Sequence, residues 1–516
     1  MSVLDRIIAR LQRPRAYPHP VDRVEHIETH ISHVLLAGDY AYKLKKSINL
    51  GFLDFSTLER RKFFCEEEVR LNGRLAPHIY LSAVPVTGSP EAPRMEGEGE
   101  ILEYAVKMRR FDQDALLTRL PVTPELADRL ADRIGDFHAH IPSAPEGAPF
   151  GTPEAVLQPM VENFEHIRRR LSAPEQLAQL RRLEDWTRQR LEALREIVEE
   201  RRREGHIREC HGDMHRGNIA LVDDQLVIFD GIEFNPGLRW IDTMSEVAFL
   251  VMDLEEAGEE VPARRFLNRY LERSGDYRGV QVLDFYKVYR AMVRAKVTAI
   301  RLGQSDVEPE EAARDRADYA RYLALAQRYT SPHPRRLYIT HGVSGSGKSR
   351  LAAILREHLP LIHIRSDVER KRLFGLPPEA RTDSGLGAGI YTSEASTRTY
   401  ARLLDLAAVI LDAGYSPLVD AAFLKRTRRQ PFLDLAAAKG CPCTILVPEA
   451  PVEVLRERVA ARSLAGEDPS EAGLPVLETQ LAAVEPLEEH ERRLLVSIDT
   501  VHPPALSDFL ARLPRG

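Results

Sequence analysis

The hydrophobic and polar positions of this chain change rhythm twice along its length. Between residues 27 and 110 short apolar stretches alternate with polar ones: "HISHVLLAG" and "YAYKLKK" carry the period of two expected of strands, and "EYAVKMRRF" reads as another. One helix interrupts them, "STLERRKFFCEEEVRLNGRLAP", opening at Ser56 with Glu59 three residues on in the manner of a capping box. The Pro- and Gly-rich "TGSPEAPRMEGEGE" (87–100) predicts a hairpin or loop between strands. From about residue 113 to 327 helical periodicity takes over. There Leu191, Leu194 and Val198 mark one buried stripe, and the charged run "REIVEERRREGHIRE" is assigned to the solvated face of the same helix. Beyond residue 336 strands and helices alternate: "LYITHG", "KSRLAAILREHL", "LIHIRSD", "DVERKRLFG", "YSPLVDAAF", "CTILVPEA", "PVEVLRERVAARS" and "LLVSIDT". That order predicts a parallel sheet with helices on both faces.

At 516 residues the chain exceeds one ordinary core. "RYTSPHPRR" (328–336), with two prolines in a polar run, is the linker candidate. Domains are therefore expected at 1–330 and 331–516, the first divided into an upper lobe over about 1–110 and a helical lower lobe over about 111–327. No internal repeat relates the halves. A 43% apolar and 29% charged composition describes a folded chain, and a net charge of −6 lacks the basic excess of a nucleic-acid binder, so no nucleic-acid partner is expected. Cys65, Cys210, Cys441 and Cys443 form neither a disulfide framework nor a CxxC, which fits a reducing cytoplasm. No stretch approaches the roughly 20 apolar residues that span a bilayer. The amphipathic start, "MSVLDRIIARLQRPRAY", is not read as a signal peptide. No membrane partner is expected.

Two stretches carry chemistry. "HGDMHRGN" (211–218) sets Asn218 five positions after Asp213, and "LVIFDGIEF" brings an apolar strand to its end at Asp230 and Gly231. Phosphoryl transfer needs a positioned acceptor hydroxyl, magnesium on the phosphates and cations on the nucleotide. Asp213 suits the acceptor's proton; Asn218 and Asp230 suit Mg2+. Segment 211–235 resembles the aminoglycoside phosphotransferase branch of the protein-kinase-like superfamily, with its HGDxxxxN and downstream FDG. "RWIDTMSEVA" resembles that family's element bracing the catalytic loop, with Asp242 in the matching place, and "IGDFHAHIP" a helix of its lower lobe. The resemblance implies a bilobal α+β kinase-like fold, ATP as donor, and a nucleotide lysine on an upper-lobe strand. In "AYKLKK", Ala41 and Lys43 share a face and reproduce Ala-x-Lys, so Lys43 is preferred to Lys45 and Lys46. Its implied carboxylate partner is Glu68 rather than Glu67, because Leu71 and Leu75 follow Glu68 at +3 and +7. The chain departs from the pattern in lacking a GxGxxG loop; "HISHVLLAGDY" offers one glycine. A nucleotide-binding but inactive first centre stays open.

The second stretch, "GVSGSGKS" (342–349), satisfies GxxxxGK[ST] between a strand and a helix. The backbone of Gly342, Ser344, Gly345, Ser346 and Gly347 would cradle phosphate, Lys348 reach the β- and γ-phosphates, and Ser349 meet Mg2+. "LVDAAF" ends a strand with Asp420 and alanines, without the Asp-Glu pair that polarises water in motor ATPases. "IHIRSDVERKRLFG" ends another with Asp367 before a helix. These features resemble the small P-loop kinases that phosphorylate hydroxyls: gluconate kinases, polynucleotide kinases, chloramphenicol phosphotransferases and zeta toxins. The resemblance implies Asp367 as base and Asp420 as a carboxylate at the metal or just behind its ligands. Arg458 and Arg462, at i and i+4, fit either a lid over the phosphates or solvated helix charges. "DSGLGAGIYTSEAS" (383–396) fits a substrate-side loop or a connector. The whole chain resembles a fusion of an aminoglycoside phosphotransferase-like domain with a P-loop kinase of the kind often labelled AAA-family ATPase. A kinase-like domain followed by an α/β P-loop domain is thus expected, with two centres passing phosphate from ATP to hydroxyls of small molecules. The rival expectation is a nucleotide-sensing regulator in which one domain binds ATP without turnover.

Overall fold

The computed structural model describes residues 2–513 apart from 50, 52, 303–307, 381–388, 466–472 and the side chains of 462–465. The alternating N-terminal stretch forms strands β1 (Val24–Glu28), β2 (Ser32–Ala37), β3 (Tyr40–Lys45), β4 (Tyr80–Ser89), β5 (Ala92–Met95) and β6 (Ile101–Arg109). They make one antiparallel sheet in the order β1-β2-β3-β6-β4-β5. The strand period sorts β3 as its sequence does: Tyr42 and Leu44 enter a core with Ile7, Ile8 and Leu11 of the helix Val3–Leu11, leaving Lys43 and Lys45 for the other face. On that other face Cys65, Ala76, Ile79 and Val106 pack together beneath the helix Leu58–Asn72. This helix is capped one residue later than its sequence suggests. Thr57 accepts from Arg60 N–H, while Ser56 N–H is already taken by Asp54. The Pro-Gly-rich segment carries the hairpin turn between β4 and β5, with Ser89 opposite Ala92, and also holds β5 itself and the connection to β6.

Four short strands follow: β7 (Ile207–Glu209), β8 (Ile219–Val222), β9 (Gln225–Ile228) and β10 (Trp240–Asp242), pairing as β8-β9 and β7-β10. Leu191, Leu194 and Val198 are buried, as their spacing predicts. The charged run beside them is not solvated throughout. Arg201 is buried and grips Asp242 with two hydrogen bonds, 2.7 and 2.8 Å. A guanidinium that finds a bidentate carboxylate can be buried where an unpaired one cannot.

Two compact units partition the chain. One comprises Met1–Val122, His140–Arg169 and Leu191–Asp253; the other comprises Thr123–Ala139, Arg170–Arg190 and Leu254–Gly516. In the second unit β11 (Leu337–Thr340), β12 (Leu361–Arg365), β13 (Ser416–Asp420), β14 (Cys443–Glu449) and β15 (Leu495–Asp499) form a parallel sheet in the order β12-β13-β11-β14-β15. Leu351 and Leu355 of the helix Lys348–His358 pack with Leu418, Leu446 and Phe509 on one face. Edge strand β12 is covered within the unit by the helix Glu260–Ser274, whose Asn268 accepts from His363 N–H (2.7 Å) and donates to Leu361 O (2.9 Å). An amide side chain thereby substitutes for a missing neighbour strand. All four cysteines are free and buried. Among the described residues no helix is long and apolar enough to cross a membrane.

Candidate active sites

The first constellation is assembled by a hairpin. Asp223 and Asp224 join β8 to β9 with φ of 49° and 59°, the left-handed pair a two-residue turn requires. Because Ile219 stands opposite Ile228, Asn218 and Phe229 leave the hairpin side by side, and Phe229 N–H donates to Asn218 O at 3.0 Å. His211 stitches the two exits together: its Nε2 lies 2.9 Å from Phe229 O and its carbonyl accepts from Ile232 N–H. Burial lowers the His211 pKa, so the ring is neutral and donates through Nε2. Gly212 has φ 90°, and a Cβ there would lie 2.7 Å from Leu238 O, so only glycine fits between His211 and Asp213.

Asn218 turns its side-chain N–H groups on Asp213, at 2.9 Å from the carbonyl and 3.1 Å from Oδ2. Its Oδ1 accepts no hydrogen bond among the described residues and could take a cation. His215 Nδ1 accepts from Gly217 N–H, which places the proton on Nε2, 3.5 Å from Asp213 Oδ2. The loop is braced by Glu246, which accepts from Gly212 N–H at 2.7 Å. Asp242, the residue the resemblance singled out for bracing, instead holds Arg201 and caps Met244 N–H. Glu246 was missed. Its one signal was standing a helical turn beyond Asp242 in an otherwise apolar stretch.

Asp230 has φ 61°, a strained conformation for a non-glycine residue. It is held there by Tyr80, whose hydroxyl accepts its N–H, and by Asn72, which accepts from Gly231 N–H at 2.7 Å. Lys43 Nζ sits between two carboxylates, 2.8 Å from Glu68 Oε1 and 2.7 Å from Asp230 Oδ1. Glu67 turns away, to Arg70 and Arg239. Lys46 pairs with Glu28. Fully buried Lys45 spans Glu68 Oε2 and Glu233, a carboxylate that sequence reasoning passed over. Burial opposes the charge of Lys43, but Asp230 and Glu68 outweigh it and raise its pKa well above the ordinary value. Burial likewise opposes ionisation of Glu68, and Lys43 with Lys45 outweighs it, holding the carboxyl below the usual range. Replacing Lys45 by methionine would strand Glu233 without its counter-ion. A loss of about 3–5 kcal/mol is expected, the cost of breaking a buried pair, and urea unfolding measures it. Asn218 Oδ1 and Asp230 Oδ2, which accept no hydrogen bond among the described residues, are hard oxygen donors of the kind that could hold Mg2+.

The second constellation lies at the C-terminal ends of β11, β13 and β12, where the order of the parallel sheet reverses direction and such sheets bind ligands. After β11 the chain turns through Gly345 and Gly347, with φ of 82° and 102°, into the helix Lys348–His358. A Cβ at Gly345 would come within 2.8 Å of Leu455 O. The helix presents its free N–H groups to this loop, a ready site for anionic oxygens. Ser346 Oγ is buried with no hydrogen-bond partner among the described residues, a hydroxyl that a phosphate would satisfy. Ser349 is exposed in the first helical turn. Lys348 Nζ rests on Val343 O at 2.8 Å, and Ser344 N–H donates to Gln480 Oε1 at 2.7 Å.

Asp420 closes β13 and stands in register with Arg365 at the end of β12. Asp367, two residues further, is half-buried and makes no hydrogen bond or ion pair among the described residues. Burial opposes ionisation of Asp420, but His363, whose Nε2 lies 3.5 Å from Oδ2, and the charges of Arg365 and Lys348 hold its carboxyl at about 2, below the ordinary 3.8. Burial in turn lowers the His363 pKa, and the neighbouring Asp420 opposes that shift. A depressed folded-state pKa contributes stability that is complete above the unfolded value and is lost as pH falls toward the folded one. Asp420→Asn is therefore expected to flatten the acid limb of the stability curve between about pH 4 and 2, measured by denaturant titration at each pH. Arg458 donates to Gly345 O (3.3 Å), Thr500 Oγ1 (2.8 Å) and Thr500 O (2.9 Å), tying the loop to the turn after β15. The side chain of Arg462 lies outside the described residues, as do residues 383–388 of the glycine-rich segment.

Residues 59–283 match the phosphotransferase enzyme family and residues 337–487 match an AAA domain. The uncharacterized proteins Rv2004c of Mycobacterium tuberculosis (strain ATCC 25618 / H37Rv) and Mb2027c of Mycobacterium bovis are each 32% identical over 453 residues, covering 86% of this chain and 88% of their own. Among solved structures, a choline/ethanolamine kinase family protein from Mesorhizobium loti aligns over 63% of this chain and 100% of its own, with 15% identity and a TM-score of 0.35. A gluconokinase from Sinorhizobium meliloti 1021 aligns over 35% of this chain and 90% of its own, with 22% identity and a TM-score of 0.24.

Proposed function

From a chain that belongs to the family of those mycobacterial proteins, and that sets a phosphotransferase-enzyme segment ahead of an AAA domain, we propose a kinase with two centres, each passing the γ-phosphate of ATP to a hydroxyl of a small molecule. The observation that carries the reading is the division of labour at Asn218. Its N–H groups hold Asp213 and its oxygen is left for a cation beside Asp230, while Lys43 waits on the same carboxylate.

At the first centre Asp213 orients the acceptor hydroxyl and takes its proton as the oxygen attacks; Asn218 and His215 fix the carboxylate's direction. Asn218 and Asp230 would hold Mg2+, and Lys43, steadied by Glu68, would meet the nucleotide phosphates. Bound Mg2+ and ATP supply the phosphoryl group and the charge neutralisation its transfer needs. At the second centre the loop amides, Ser346, Lys348 and Ser349 would hold phosphate and metal, with Asp420 behind them. Asp367, unencumbered at the strand end, serves as base. Arg458 keeps the loop in shape, and the four free cysteines suit a reducing cytoplasm.

A screen of radiolabelled ATP against hydroxyl-bearing metabolites tests this: label should pass to at least one acceptor. A nucleotide-sensing role is favoured by the missing GxGxxG loop at the first centre and by Gln480 and Val343 O, which already engage Ser344 N–H and Lys348 at the second. Saturable ATP binding with no label transferred to any acceptor would favour sensing over the proposal.

A further inference from the structure

The octapeptide "HIETHISH" (26–33) plays no part in either centre. Its residues fold into the hairpin of β1 and β2, closed by Thr29 N–H donating to Ser32 O. On β1, His26 and Glu28 are two apart and share a face; the return strand sets His33 directly opposite Glu28, so the register gathers three side chains on one side. His26 Nε2 and His33 Nδ1 lie 3.0 Å apart, and one ligand atom from each of His26, Glu28 and His33 falls within 4.8 Å of the others.

We propose that His26, Glu28 and His33 form a binding site for a borderline divalent transition-metal ion, of which Zn2+ is the natural case. Two imidazole nitrogens bound to zinc at about 2.0–2.1 Å in a tetrahedron stand roughly 3.3 Å apart, so the observed pair needs to open only by a few tenths of an ångström. A single proton holds the two rings together without the metal, and the ion takes that proton's place. Two nitrogens and one oxygen are the ligand set of open, three-residue zinc sites rather than of Mg2+, which prefers oxygen alone. Glu28 gives Oε1 to Lys46 at 2.6 Å, which leaves its other oxygen for the ion. His26 and Glu28 are exposed and His33 is buried, so the site has an entry from solvent and a fixed floor. Glu28 and His33 also line a cavity of about 460 Å³, together with Asp5, Lys46 and Arg61. The ion would fasten β1 to β2 at the open edge of the sheet.

The test uses the full chain, stripped with a chelator and titrated with Zn2+ against a chromophoric competitor, with Mg2+ in large excess to fill oxygen sites. One Zn2+ per chain is expected, and Co2+ in its place should give ligand-field bands of nitrogen-oxygen coordination. His26→Ala should weaken uptake by more than about tenfold, the scale for disturbing even an outer partner of a metal ligand. Because His26 is exposed, this variant should melt like the wild type in the absence of metal. Glu28→Gln should weaken it as well. No uptake by the wild type, or equal uptake by His26→Ala, would overturn the assignment.

Discussion

Asp213→Ala is expected to slow phosphoryl transfer at the first centre by about 10²–10⁴-fold, the usual worth of a general base, with little change in nucleotide affinity. The reason for the split is geometric. Asp213 faces Asn218 and His215, whereas the groups that would meet the nucleotide, Lys43, Glu68 and Asp230, form a separate ion-pair cluster. The loop should survive the change, since its shape rests on Gly212 N–H to Glu246 and on His211 to Phe229 O. Steady-state kcat and KM with a cognate acceptor check the point: a fall in kcat at nearly constant KM for ATP is expected. An unchanged kcat would mean that some other group takes the proton.

Lys348→Ala is expected to act on the second centre alone. Removing the one ammonium that follows Gly347 should cost about 2–5 kcal/mol of nucleotide binding, a weakening of roughly thirtyfold or more, as for truncating one partner of a hydrogen-bonded charge pair. Lys348 rests on Val343 O within its own loop, so its loss should leave the sheet intact and the melting temperature close to that of the wild type. Calorimetric titration with ATP should then lose one of two binding events. Loss of both would show that the centres do not bind independently.

How much of this was legible before folding depended on sequence distance. "HGDMHRGN" and "FDG" stand close together because β8 and β9 are one hairpin, so Asp213, Asn218 and Asp230 could be read as a set. The P-loop was legible because its glycines are demanded locally, by φ of 82° and 102° at Gly345 and Gly347. The resemblance called for a lysine on an upper-lobe strand and a carboxylate to pair with it, and strand and helix periodicity, which fixes the face a residue takes, chose Lys43 and Glu68 among their neighbours. Periodicity says nothing about a partner beyond the element. Glu233 holding Lys45, Gln480 reaching Ser344 N–H, and Thr500 linking Arg458 to the loop all depend on chain crossings that no local pattern records. The same holds for Arg201, whose charge argued for solvent until Asp242 from a distant strand met it. The cap at Thr57 was misplaced by one residue because Ser56 and Thr57 are equally able caps, and Asp54 decides between them.

Whether one chain houses two separate phosphate-transfer pockets, as proposed, is decided by assaying wild type, Asp213→Ala and Lys348→Ala side by side with γ-labelled ATP and a pool of hydroxyl acceptors, and resolving the labelled products. Each substitution is expected to remove its own product and spare the other. A single substitution that erases every labelled product, or a pair that erases none, would contradict it.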